Sequence, residues 1–176
     1  QVETTLREIH DVAAEAYTDA REEILGLRSI SKEDECFLPA LEHYLARYRA
    51  TFGLDVKFER DESATLALPP YARAQVLRIV HEALSNVRKH AGTNEVRVRL
   101  DQAGDWARIE ISDAGQGFDT AQVAAPGGNG VGLQVMRERA QSIGGLLEIE
   151  SEPGQGTRVI VWVPQGGEQE EDHGVT

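Results

Sequence analysis

Residues 78–91 read RIVHEALSNVRKHA, and the interpretation of the whole chain depends on this stretch. Its apolar residues recur at the spacing of an α-helix, which we expect to extend over residues 71–91. The preceding residues 68–70, LPP, suit the start of that helix, because proline costs nothing in the first turn. The positions predicted to face the core are Val76, Ile79, Val80, Ala83, Leu84 and Val87.

Two polar residues of this helix, Glu82 and Asn86, are four positions apart and therefore share one face. Lys89 and His90 follow one turn later. Such a face offers a carboxylate, an amide oxygen and a cation to a phosphate group with its Mg²⁺, an ion that prefers oxygen ligands and keeps several waters. A hydrogen bond at the surface would explain Asn86 equally well, so the helix alone leaves both interpretations open.

The elements around this helix predict an α+β fold. The expected order is helix 37–52 ended by Gly53, strand 54–59, helix 71–91, strands 95–100 and 107–113, a glycine-rich irregular stretch 114–130, helix 131–143, and strands 146–151 and 157–164. Helices beside mostly antiparallel hairpins indicate a two-layer α/β sandwich, with the helices on one face of a mixed sheet. The strict strand–helix alternation of a doubly wound fold is missing.

Composition narrows the possible partners and compartments. The formal net charge is −12 and the basic residues form no cluster, so we expect no nucleic-acid partner, because binding to phosphate backbones depends on clustered Lys and Arg. The lone cysteine fits a reducing compartment. No apolar run approaches the roughly 18 residues of a membrane span, and no signal peptide opens the chain. We therefore expect a cytoplasmic region without membrane contact, with any membrane anchor lying upstream.

Three glycine clusters interrupt the predicted elements. DAGQGF (113–118) follows a strand, GGNGVGLQ (127–134) precedes a helix, and GQGT (154–157) joins two strands. A single glycine-rich turn is weak evidence, because hairpins need glycine too. The second cluster is more informative, since exposed N–H groups at a helix N-terminus suit a phosphate chain. It matches neither a P-loop nor the G-x-G-x-x-G of a dinucleotide fold.

Taken together and in this order, these features closely resemble the ATP-binding fold shared by sensor histidine kinases, gyrase, Hsp90 and MutL. RIVHEALSNVRKHA is similar to the N box of the kinase subfamily that pairs with NarL-type response regulators. ISDAGQGFD (111–119) is similar to its G1 box, GGNGVGLQVMRERAQSIGG (127–145) to its G2 box and following helix, and SEPGQGTRVIVWVP (151–164) to the final hairpin. The resemblance covers roughly residues 1–164.

The resemblance implies how an ATP base would be bound. Asp113 would accept a hydrogen bond from the adenine amine, and Thr157 would support the same site through a water. Gly115 and Gly117 would allow the backbone to pass close to the base. Residues 118–130 would form the lid over the nucleotide.

The resemblance also implies where the phosphates and Mg²⁺ would lie. Asn86 would ligate the metal, while Glu82 would organise the phosphates and the metal, with a general-base role possible because ATP-hydrolysing relatives carry their water-activating glutamate there. The groups expected to hold the phosphate chain are the N–H groups near Gly130, Gly132 and Leu133, together with Lys89 or His90.

Residues 1–30 read as the C-terminal part of a dimerisation and phosphotransfer helix, with apolar residues every seven positions. Residues 31–165 would form the ATP-binding domain, and 166–176 an acidic disordered tail. REIHD (7–11) resembles a phosphoacceptor box, but too little helix follows His10 before the polar break at residue 29. We therefore expect the acceptor histidine upstream of Gln1 and none in this chain, with His10 as the residual candidate.

Three hypotheses follow. The first is the catalytic region of a two-component sensor kinase, homodimeric through its N-terminal helices, which moves the γ-phosphate of ATP to a histidine and then to a NarL-type response regulator. The second is an ATP-binding switch of the same superfamily, such as an anti-sigma-factor kinase that phosphorylates Ser or Thr. The third is a coiled-coil adaptor with a degenerate ATP site. The helix at 1–30 favours the first.

Overall fold

The computed structural model describes residues 37–61, 67–124 and 130–165, which form a five-stranded sheet with helices. In chain order the elements are helix α1 (Phe37–Phe52), strand β1 (Asp55–Arg60), helix α2 (Pro70–Asn86) with a π-helical turn (Val87–Ala91), strand β2 (Glu95–Ala103), strand β3 (Trp106–Asp113), helix α3 (Thr120–Ala124), helix α4 (Val131–Gln141), strand β4 (Leu146–Ser151) and strand β5 (Thr157–Pro164).

The sheet is mixed, as the sequence predicts. Its strand order is β1-β2-β3-β5-β4, with β1 parallel to β2 and every other neighbouring pair antiparallel. Along β2, Val96, Val98 and Leu100 are buried while Arg97 and Arg99 are exposed, because successive side chains of a strand point to opposite faces. The α+β two-layer fold is therefore confirmed.

Helix α2 lies at the centre of the core. All six of its predicted core positions are buried, and Val76, Ile79, Val80 and Leu84 are completely inaccessible to solvent. They pack against the inner faces of the strands and against α1 in one hydrophobic cluster. Burying one such side chain stabilises a fold by about 1.5–3 kcal/mol, so this row fixes the rotation of α2 about its axis.

The face of the sheet opposite the helices carries ion pairs. Arg108 contacts Asp101 at 3.0 Å and also Glu110. Arg158 lies 3.4 Å from Glu110 and 2.8 Å from Glu150. An exposed pair such as Arg158–Glu150 is worth about 0–1 kcal/mol and adds little to the stability of the fold.

The predicted helix 71–91 does not keep α-helical geometry to its end. Its last residues, Val87–Ala91, form a π-helical turn, and Gly92 ends it with a φ of 68°. A π turn bonds residue i to i+5 and is frequent at functional sites, but no periodicity in the sequence marks it.

Other boundaries also differ from the expectation. Strand β1 is shifted by one residue, β2 continues to Ala103 and β3 begins at Trp106. The stretch 114–130 is not irregular throughout, because α3 forms within it, and the Asp119 carboxylate accepts the Ala121 N–H at 2.9 Å as an N-cap does. Helix α4 was expected to extend to residue 143 but ends at Gln141. Just after this end, the Ser142 hydroxyl donates to the Arg139 carbonyl at 2.7 Å.

Several predictions fall on residues outside the described ones: the helix 1–30, His10 and the tail 166–176. Among the residues that the structure describes, no helix combines the length and the hydropathy that crossing a membrane requires.

The position of α2 predicts a contrast between two leucines. Leu84→Ala should lower the free energy of unfolding by about 2–5 kcal/mol, because Leu84 is 0% exposed and its loss leaves a cavity. Leu146→Ala is the matched control: this leucine is 58% exposed, and about 0.5 kcal/mol or less should be lost. Urea denaturation of both variants measures the difference, and similar losses would contradict this view of the core.

Candidate functional site

A cavity of about 470 Å³ opens between α2, the end of β3, the start of β5 and the start of α4. This volume lies in the usual range for small-molecule sites. The sequence-predicted site residues that line it are Glu82, Asn86, Lys89, His90, Asp113, Gly117, Gly132, Leu133 and Thr157. Gly115 and Gly130 are neighbours of the cavity and do not line it.

One wall of the cavity is the polar face of α2 and its π turn. Glu82 and Asn86 are half-buried, whereas Lys89 and His90 are exposed at the rim. Because the opposite face of α2 is fixed in the core, the carboxylate and the amide must point into the cavity together. The wall thus combines oxygen ligands inside with two basic side chains at its edge.

A second part of the wall is apolar, and apart from Phe118 and Val123 of the expected lid it was not predicted from the sequence. It consists of Ala83, Val87, Ala91, Ile111, Phe118, Val123 and Val159. Ile111 and Val159 are inward-facing strand residues, and their alternation would have indicated burial but not contact with a ligand. An apolar wall of this kind suits a planar heterocycle.

Asp113 ends β3 at the apolar part of the cavity, paired across the strands with Thr157. The Gly115 N–H donates to Asp113 Oδ1 at 2.8 Å, and the Thr157 backbone N–H also donates to this carboxylate. Burial raises the pKa of Asp113 by more than these two hydrogen bonds lower it. The carboxylate is therefore held in one orientation in a partly desolvated place.

The loop after β3 packs directly on the end of the π turn. The Gln116 N–H donates to the Ala91 carbonyl at 2.8 Å, and a Cβ on Gly115 would lie only 2.2 Å from that carbonyl oxygen. Gly115 therefore supports the site from behind by allowing this contact. Gly117 lines the cavity itself, with a φ of 57° and no room for a Cβ beside the Glu152 carbonyl.

Gln116 is another site residue that the sequence did not reveal. Its side-chain amide donates to the His90 carbonyl, and its backbone carbonyl accepts the Gly154 N–H at 2.6 Å. Gln116 thus connects the π turn to the β4–β5 turn. Gln116 lies between two glycines of the motif DAGQGF, and this motif does not predict contacts with residues so distant in the sequence.

The start of α4 contacts Glu82 at the wall of the cavity. A Cβ on Gly132 would lie 2.1 Å from Glu82 Oε1, so the carboxylate rests against the first turn of the helix. Gly130 immediately precedes this turn and packs against Val123 of α3, where a Cβ would lie 2.6 Å from the carbonyl oxygen. The first-turn N–H groups of a helix have no partners within it and favour an anion.

The donor set fits a phosphate with a hydrated divalent cation. Asn86 and Glu82 supply oxygens on one side, and the N-terminus of α4 supplies N–H groups on the other. A phosphate entering this space would meet the Glu82 carboxylate, and a bound cation would relieve the repulsion. Within the described ranges, no group of three or more His, Cys, Asp and Glu side chains could hold a metal ion.

The sequence of this chain is similar to those of known proteins. Residues 72–167 match the family of histidine kinase-, DNA gyrase B- and HSP90-like ATPases. The chain is 32% identical over 174 residues to the sensor histidine kinase LiaS of Bacillus subtilis, covering 97% of this chain and 47% of LiaS. It is 28% identical over 166 residues to the histidine-protein kinase/phosphatase DegS of Brevibacillus brevis, covering 93% and 42%. The chain thus spans about half the length of these relatives.

A solved structure shows the same fold. The histidine kinase domain of a blue-light activated kinase from Erythrobacter litoralis superposes with a TM-score of 0.69 at 18% identity, covering 88% of this chain and 83% of that one. At this identity the likeness establishes the architecture alone.

The raised pKa of Asp113 predicts a pH-dependent effect on stability. A carboxyl whose folded pKa is raised favours folding when protonated, and this contribution is lost as the pH rises through the folded pKa. Asp113→Asn should therefore raise the melting temperature slightly at pH 7. The gain should shrink as the pH falls toward the ordinary value of 3.8.

Thermal unfolding between pH 4.5 and 7.5, without added nucleotide, tests this expectation. Asp119→Asn is a suitable control, because Asp119 caps α3, does not line the cavity and should not reproduce the gain. A melting temperature of Asp113→Asn below that of the wild type at pH 7 would contradict it.

Proposed function

This chain belongs to the family of histidine kinase-, DNA gyrase B- and HSP90-like ATPases, and from this we propose that it is the ATP-binding catalytic region of a two-component sensor histidine kinase. One observation carries the proposal. A single cavity has an apolar end with a fixed carboxylate, Asp113, and a polar end with Glu82 and Asn86 opposite a helix N-terminus. These ends suit the base and the phosphates of one nucleotide.

At the apolar end, adenine would lie between the apolar side chains with its amine toward Asp113. The carboxylate can accept this hydrogen bond because its own position is fixed by two backbone N–H groups. Hydrogen bonds to ionised partners contribute about 1.5–3 kcal/mol, enough to select the base.

At the polar end, the first-turn N–H groups of Gly132 and Leu133 would hold the phosphates, with Lys89 and His90 at the rim. Asn86 would hold Mg²⁺, and Glu82 would orient its waters or act as a general base. Bound Mg²⁺ neutralises charge on the phosphates during transfer. The protein's part is then mainly positioning, as is usual in phosphoryl transfer.

In the proposed reaction, the bond between the γ-phosphorus and its bridging oxygen breaks and a phosphorus–nitrogen bond forms on a histidine, leaving ADP. The acceptor histidine would lie upstream of Gln1, and the phosphoryl group would then move to an aspartate of a response regulator. The NarL-type class of regulator, a homodimer through the N-terminal helices and a cytoplasmic location belong to the same proposal. LiaS is a sensor histidine kinase and DegS a histidine-protein kinase/phosphatase, which supports the kinase part of the proposal.

Calorimetric titration of ADP separates the two ends of the site. Asp113→Asn should weaken ADP binding at least roughly tenfold with or without Mg²⁺. The Gly115 N–H would hold the amide oxygen and so turn the amide NH₂, a donor, toward the adenine amine. Asn86→Ala should reduce binding only when Mg²⁺ is present.

Asn94→Ala, at an exposed position ahead of β2, is the matched control for Asn86 and should bind ADP like the wild type. Failure of the wild type to bind ADP or a non-hydrolysable ATP analogue would contradict an ATP site and favour the adaptor hypothesis.

Incubation with γ-labelled ATP tests the reaction, using this chain and a longer version that extends upstream of Gln1. We expect acid-labile label on the longer protein, because phosphohistidine hydrolyses in acid whereas phosphoserine does not. Acid-stable label would instead favour a Ser/Thr kinase module. If His10→Gln abolished labelling while ADP binding survived, the acceptor would be His10.

A further inference from the structure

Strand β4 forms one edge of the sheet. In the part of the chain that the structure describes, β5 is the only strand paired with it. Alternate residues of an edge strand point their backbone N–H and C=O groups away from the rest of the sheet, where a further strand can bind them. β4 contains neither Pro nor Lys, two residues that commonly block an edge. Its end is held in place, because Ser151 Oγ accepts the Phe118 N–H at 2.9 Å.

The opposite edge of the sheet, β1, differs in its charges. Helix α1 runs alongside this strand, with Glu42 Oε1 4.0 Å from Arg60 Nε and Arg49 Nη2 3.7 Å from Asp55 Oδ1. A strand that approached β1 would therefore meet charges of both signs that already pair with each other. The charged residues of β4 are all acidic, so this edge can select a partner by charge.

The two faces of β4 are unlike. Leu147 and Ile149 are half-buried against the hydrophobic core on the helix side. Leu146, Glu148 and Glu150 point the other way and are exposed, since successive side chains of a strand alternate. From Glu150 back to Leu146, the exposed face presents two carboxylates two positions apart and then an apolar side chain.

These side chains define what an added strand must carry. Opposite charges on directly opposed residues stabilise strand pairing, and like charges destabilise it. A strand antiparallel to β4 therefore needs basic residues opposite Glu150 and Glu148 and an apolar residue opposite Leu146. On the helix side, its intervening residues must be apolar to continue the half-buried row of Leu147 and Ile149.

Neither a second copy of β4 nor another segment of this chain meets that requirement. In the antiparallel registers that pair most of two β4 strands with their faces matched, Glu148 of one copy lies opposite Glu148 or Glu150 of the other, so like charges meet. The residues outside the described ones contain no two Lys or Arg residues two positions apart. A strand that fits must therefore come from another protein.

We propose that β4 is a docking edge for an extended segment of a partner protein, which adds to the sheet antiparallel to β4 and alternates basic with apolar residues. Backbone hydrogen bonds supply the affinity of such a contact, and the exposed side chains of β4 select the segment. The net charge of −12 favours the approach of a basic segment. Residues 146–150 do not line the cavity, so the inference does not depend on the proposed nucleotide site.

The test uses a synthetic hexapeptide with blocked ends, Val-Lys-Val-Lys-Val-Leu, which matches β4 from Ser151 back to Leu146. Amide hydrogen exchange of the chain is followed by NMR with and without this peptide. In the free protein, the β4 amides that bond to β5 should exchange slowly and the alternate ones fast. The peptide should slow the fast set roughly tenfold when about nine-tenths of the protein is occupied.

A charge reversal tests the selection of the segment. Glu148→Lys should weaken peptide binding roughly two- to tenfold, because an opposite-charge pair becomes a like-charge pair. Glu42→Lys is the matched control: it makes the same change in net charge on α1, beside the opposite edge of the sheet, and should bind the peptide like the wild type.

Peptide binding that leaves the fast β4 amides unprotected would show charge attraction without strand addition and overturn the inference. Absence of binding, or equal weakening in Glu148→Lys and Glu42→Lys, would do the same. Sedimentation of the protein alone adds one further outcome, since a dimer with all β4 amides protected would make a second copy the occupant and also overturn the inference. ADP binding by the same samples tests the proposed function separately.

Discussion

The packing of α2 against the sheet is the constraint on which the rest of this structure depends. The buried row that includes Ile79 and Leu84 allows the helix one rotation about its axis. That rotation points Glu82 and Asn86 away from the core and into the cavity. Hydrophobic burial is not directional, but by fixing the rotation of the helix it orients the polar groups of the site. Dispersion contacts and close packing then hold them there.

A second constraint joins the far end of this helix to the sheet. The Ala91 carbonyl receives the Gln116 N–H, and only a glycine at position 115 permits that approach. The contact sets the distance between the polar wall and the carboxylate at the end of β3. The spacing between the two parts of the site therefore depends on one backbone hydrogen bond and on the missing Cβ of Gly115.

Much of the fold followed from patterns that are local in sequence. The alternation of β4 and β5 placed both strands at their observed bounds, and the helical spacing around residue 84 identified the buried face. The π turn escaped prediction, because no side-chain period encodes it. The contacts of Gln116 and Ser151 escaped for another reason: their partners lie 26 and 33 residues away, and only the assembled sheet brings them together. The glycine motifs indicated where a site would be and not how its walls are joined.

The register between β3 and β5 also has a consequence for the order of folding. Asp113 and Thr157 meet only through this pairing, and the flanking hairpins β2–β3 and β4–β5 are each local in the chain. Bringing β3 and β5 together costs the entropy of closing the loop between them, and the contacts between these two strands offset that cost only once they have formed. A chain with both hairpins formed but not yet joined has most of its sheet and no site. Ligand binding in this protein is therefore a property of the completed sheet, and a bound ligand would stabilise the folded state over any state in which β3 and β5 are unpaired.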